Sequence, residues 1–219
     1  CANFCGFIPP EEETDELIAS PVSTAATADF AGSLAYAYNF FKDKDNDFAQ
    51  KLLEAAKKAQ NFLDINCDIV FDNPPGITTG SYRDINLQDE RYFALCSLFG
   101  ATKDETYIEK ALYIRQKAKD IHSAQKWSED FNWGSVAGYG SEILLKNKAF
   151  IKNKALIEEI AQSFINRSKM LLAKIETNAF SVAITDIRWG SNGQLMDEVH
   201  ALKVAYDITK NEDLKKAAQ

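Results

Sequence analysis

Long stretches of this chain contain neither glycine nor proline, and that scarcity of breakers favours an all-helical fold. Its 219 residues include 10 glycines and 5 prolines; three prolines fall within the first 21 positions, and Pro74 and Pro75 are adjacent. The uninterrupted stretches come in two alternating kinds. Thr24 to Phe41 is apolar nearly all round, the pattern of a helix buried on every side. Asp47 to Leu63 sets Phe48, Leu52, Leu53, Ala56, Ala59, Phe62 and Leu63 on one face, with Glu54, Lys57, Lys58 and Asn61 opposite. That is a one-sided helix with its back to water.

The alternation repeats along the chain. Asp89 to Ala101 is apolar around most of its girth, and Asp104 to Ile121 is amphipathic, with Ile108, Ala111, Leu112, Arg115 and Ala118. Val136 to Leu145 is short and apolar, Lys154 to Ile175 long and amphipathic, and Asn192 to Ile208 apolar again. The joints KDKDNDFAQK, ATKDETYIEK and ITKNEDLKKA share a polar turn and an acidic first helical turn, which suits a helix N-terminus. Aligned on Phe48, Tyr107, Leu156 and Leu214, the hairpins recur about every 50 to 60 residues, too long for the roughly 34-residue helical interaction repeats. The expected fold is all-α: about four hairpins of an α/α toroid over residues 1–219, the last cut short. An extended arm (1–21) precedes them, and a long loop (64–87) with Pro74-Pro75-Gly76 interrupts them.

Lys and Arg number 25 against 32 Asp and Glu, a net charge of -7 that argues against a nucleic-acid partner. No run approaches the roughly 18 apolar residues of a membrane span, and no signal peptide is visible. The chain starts at Cys1 rather than Met, so an upstream segment is expected to have been removed. Cys1, Cys5, Cys67 and Cys96 are too scattered for a disulfide scaffold. Cys1 and Cys5 are spaced to pair or to hold a metal, and Cys96 reads as a small buried hydrophobe.

Five blocks carry a family resemblance: SPVSTAATADFAG from Ser20, DFAQKLLEAAKKAQNFL, GSYRDINLQDERYFALCSLFGATKDETYI, FNWGSVAGYGSEILL and RWGSNGQLMDEVHALKVAYDIT. In that order the chain resembles family 9 glycoside hydrolases, the inverting β-1,4-glucanases with an (α/α)6 barrel. The resemblance implies six hairpins in a full barrel, a β-glucan substrate and an extracellular or cell-envelope setting. Inversion needs one carboxylate for the attacking water and another for the leaving oxygen, roughly 6.5–9.5 Å apart. The family draws the first from an Asp-Ala-Gly-Asp-Tyr-like motif and the second from a Glu beyond a Pro-His-His-Arg segment. Neither motif occurs here, and His122 and His200 lack such neighbours. No catalytic residue is therefore assigned, and the chain is expected to be inactive alone.

A pyranose offers an apolar face and a rim of hydroxyls, so its partners are aromatic planes with polar neighbours. Tyr82, Asp84, Trp133, Tyr139, Arg188, Trp189 and Asn192 are the substrate-binding candidates. Trp133 and Trp189 each precede an inner helix and are followed by glycine, which allows close approach; both can equally be rim-packing aromatics. Asn192 can cap a helix instead, and Trp127 reads as structural. Asp89 and Glu90 can simply begin a helix, with Asp84 bracing the turn before it. The resemblance makes Asp89 and Glu90 calcium ligands, but the Asp that follows the family's F-x-W motif is replaced in Phe131-Asn132-Trp133-Gly134. No cofactor is required on this reading. Open ends of the ring would expose apolar faces and favour a homodimer. A non-catalytic β-glucan-binding module and a helical scaffold are the rival readings.

Overall fold

A computed structural model describes residues 6–14, 18–81, 83–121 and 129–219. Eight α-helices occupy them: α1 (Thr24–Phe41), α2 (Asn46–Ile65), α3 (Gln88–Thr102), α4 (Glu105–Ile121), α5 (Ala137–Lys146), α6 (Lys154–Thr177), α7 (Ser191–Thr209) and α8 (Glu212–Ala217). The described part of the N-terminal arm is mostly irregular, with one 3-10 turn at Pro10–Glu12.

Helix starts follow from local chemistry. Ser23, Asp45, Asn153 and Asn211 each accept a backbone N–H with the side chain, capping α1, α2, α6 and α8. The inner helices α3, α5 and α7 begin without a side-chain cap.

The alternation in the sequence becomes two layers. α1, α3, α5 and α7 form the inner layer; α2, α4, α6 and α8 back them, α1 packing on α2 and α3, α3 on α4 and α5, and α7 on α6 and α8. Between the layers Tyr92, Phe99, Leu144, Ile160, Phe164 and Leu202 are fully enclosed. A buried polar pair crosses that core, Arg115 of α4 meeting Glu129 at 2.7 Å. Tyr92 Oη and Ser141 Oγ lie 3.0 Å apart beside it.

Three details depart from the pattern-based expectation. α3 is enclosed all round, but α1 buries only part of its apolar surface and leaves Phe30, Tyr36 and Phe40 exposed, as α7 leaves Met196. Inner helices at the two ends of an arc have an open flank. α7 starts at Ser191, with Gly190 in the N-cap position at φ 83°, so Asn192 lies inside the helix and does not cap it. α2 runs on to Ile65, so the long loop covers 66–87.

Candidate functional site

The segments that lead into α1, α3 and α5 meet around one cavity. The most constrained of them is Glu129 to Val136, ahead of α5. Asn132 and Ser135 form an isolated antiparallel bridge, closed by Ser135 N donating to Asn132 O at 3.1 Å. Gly134 N donates to Asn132 Oδ1 at 3.0 Å. This tight turn carries Trp133 at its tip, 73% exposed. Behind it, Gly138 N donates to Asp130 O, and Gly138 has no room for a Cβ, which would lie 2.5 Å from that same oxygen. Ahead of it, Val136 N donates to Asp89 Oδ2 at 2.8 Å, fastening the turn to α3.

Trp133 borders two cavities. The smaller, about 360 Å³, is acidic: Asp29 of α1, Asp84 of the long loop and Glu90 of α3 line it. Asp84 Oδ1 accepts from Asn86 N at 2.8 Å, and Asn86 Nδ2 donates to Asp89 Oδ1 at 2.8 Å, so the carboxylates brace the loop. Glu90 is 2% exposed, and its Oε2 has no hydrogen-bond partner. Burial, and then the neighbouring Asp89 charge, push its carboxyl up to about 9. Burial also raises Asp29 and Asp89 to about 6, with Asp84 adding like charge to each.

The larger cavity, about 770 Å³, opens on the inner face among Trp133, Tyr36, Tyr139, Glu142, His200 and Lys203. Tyr139 Oη donates to Phe131 O at 3.2 Å, and its ring meets Phe131 edge-on. His200 stacks on Phe131 with centroids 4.2 Å apart, and its Nε2 lies 2.8 Å from Glu142 Oε2. Burial works against the Glu142 charge, but hydrogen bonds from His200 and Lys146 outweigh it and hold the carboxyl down at about 2.

Of the sequence candidates, Asp84, Trp133 and Tyr139 come together at these cavities. Trp189 is 90% exposed ahead of α7, beside exposed Asn192 and Arg188, whose Nε reaches Asp186 at 3.5 Å. None of these three borders either cavity. Tyr82 lies outside the described residues, as do Trp127, His122, Cys1 and Cys5.

The chain's relationships match this architecture. Residues 4–219 fit the sequence profile of glycosyl hydrolase family 9. The chain belongs to that family. Its relatives include Endoglucanase D of Acetivibrio thermocellus, 33% identical over 217 residues. That alignment takes in 99% of this chain and 34% of the relative. A cellodextrinase of Butyrivibrio fibrisolvens is 31% identical over 227 residues, covering 99% of this chain and 41% of its own. Among solved structures, a thermostable endoglucanase from Alicyclobacillus acidocaldarius superposes with a TM-score of 0.84 at 25% identity. It covers 95% of this chain and 39% of the endoglucanase. The chain thus spans about a third to two fifths of the length of these proteins.

Within the family 9 frame, the acidic pair has limits as a calcium site. Among the described residues no three His, Cys, Asp or Glu side chains converge as an ion's ligand set. Asp89 already serves two protein donors, so an ion at Asp89 and Glu90 would have to draw other ligands. Asp29, Glu142 and His200 are cavity residues that periodicity alone did not single out. For Asp29 and Glu142 the signal was present, an acid set in a mostly apolar inner helix; His200 stands among other polar residues of α7 and had no such signal.

Proposed function

We propose that this chain builds part of the glucan-binding wall of a family 9 endo-β-1,4-glucanase and does not cleave glucan alone. The observation that carries the reading is Trp133, an exposed indole on a turn fastened to α3 and α5, at the rim of both cavities. An indole face suits the apolar face of a pyranose, and Asp84 and Tyr139, which line the cavities it borders, supply groups for the hydroxyl rim. Trp189 and Arg188 ahead of α7, with Asn192 in its first turn, offer a second exposed set of such groups. The relatives support the reading, one being an endoglucanase and another a cellodextrinase.

Cleavage with inversion needs a base and an acid across the scissile bond. The sequence contains neither the Asp-Ala-Gly-Asp-Tyr-like motif nor the Pro-His-His-Arg segment that accompany them in the family. Both acids would therefore come from outside these residues. An extracellular or cell-envelope setting and self-association through the open flanks belong to the same proposal, and calcium remains an addition to be tested by titration.

Reducing-sugar release from soluble cellulose is the test. No release by this chain is expected. Release that survives purification would overturn the missing-acid account and direct attention to Asp29 and Glu90. A binding module without any catalytic parent would share the tryptophan platform, whereas a scaffold would bind no oligosaccharide.

A further inference from the structure

Beside the Phe131–His200 stack, a side chain from a third element ties the turn that carries Trp133 to α7 by hydrogen bonds. Arg167 of α6 donates from Nη1 to Glu129 O at 2.9 Å and to Asp130 Oδ1 at 2.6 Å. From Nε and Nη2 it donates to Glu198 Oε2 on α7, at 3.2 and 2.8 Å. The guanidinium therefore works as a two-ended fork, one end on the limb entering the turn and the other on an inner helix. The side chain of Glu129 is held separately by buried Arg115, which leaves its carbonyl to Arg167. α7 begins two residues after Trp189, so the fork links the supports of both exposed tryptophans.

We infer that Arg167 is a positioning residue that fixes the orientation of Trp133 relative to α7, and with it the spacing of the two tryptophan platforms. The inference rests on the glucan-wall reading for its purpose, but not for its geometry. An exposed indole on a mobile turn would lose freedom on meeting a sugar; one already fixed loses less and binds more tightly. Lysine, a point donor on a flexible stem, cannot occupy both ends of this arrangement.

The experiment compares Arg167→Lys and Glu198→Gln with Ile160→Val, a mild core change on the same helix. In a Trp127→Phe, Trp189→Phe background Trp133 is the sole tryptophan, because the chain has three. Time-resolved anisotropy then reports its local motion without any ligand, and urea midpoints confirm folding. Both fork variants should lower the residual anisotropy of Trp133. In the otherwise native chain they should weaken cellotetraose binding by calorimetry about three- to tenfold, the size expected for one side chain newly immobilised on binding. Ile160→Val should lower the urea midpoint and leave anisotropy and affinity alone. Unchanged anisotropy in both fork variants, or an equal loss in Ile160→Val, would overturn the inference. If the native chain does not bind cellotetraose at all, the glucan-wall reading fails, while the anisotropy comparison still decides the role of Arg167.

Discussion

Burial first, and then the charge of the neighbouring Asp89, push the Glu90 carboxyl upward and favour its protonated form. Its folded carboxyl is raised to about 9 from an ordinary 4.5, so the folded chain keeps a proton that the unfolded chain releases. That stability is complete below about 4.5 and is lost as pH rises towards 9. Urea midpoints should therefore show Glu90→Gln gaining on the native chain between pH 5 and about 9. Glu142 has the opposite sign: lowered to about 2, it stabilises above 4.5, and its contribution disappears as pH falls towards 2. Glu142→Gln should flatten the acid end of the same profile. Trp133 supplies a different contrast. As an exposed side chain, its change to Ala should alter stability by no more than about 0.5 kcal/mol. The same change should cost about 2 kcal/mol of cellotetraose affinity, read by calorimetry. The place of Trp133 ahead of an apolar helix and beside a glycine was readable in the sequence, and its exposure at the cavities agrees with that place. Asp29 and Glu142 were overlooked because periodicity counts apolar positions and passes over the acid set among them.

The eight helices were legible almost to the residue, because alternating buried and one-sided stretches leave few other readings. Two features were not. Helical symmetry of apolar residues suggested that α1 is enclosed, yet Phe30, Tyr36 and Phe40 stay exposed, since enclosure depends on neighbours a local pattern does not encode. The start of α7 was misplaced by one residue because Gly190 takes a left-handed turn that needs no capping side chain. The same conformation occurs in Lys210, which ends α7 at φ 57°. A Cβ is disfavoured there, so Lys210→Gly should raise stability by about 0.5–1 kcal/mol, or about 2 °C in Tm by calorimetry. Arg115 follows the reverse logic. It stands in the apolar face of α4, and its removal would leave Glu129 buried without its cation, a loss of about 3–5 kcal/mol in urea unfolding.

At the scale of the whole molecule, four hairpins make an arc whose inner layer presents both cavities and an open flank at α1. Sedimentation equilibrium should find self-association that weakens when Phe30 and Phe40 are changed to Ser, since those exposed rings would lose their cover-seeking surface. The sequence conveyed the arc through its hairpin period, but the position of the acidic cavity depends on which helices become neighbours. Fluorescence titration of the chain with cello-oligosaccharides addresses the central claim most directly. Saturable change in tryptophan emission, abolished by Trp133→Ala in a chain that remains folded, is the predicted result. Emission that stays flat up to millimolar cellohexaose, or saturates equally well without Trp133, would contradict a glucan-binding wall built on that turn.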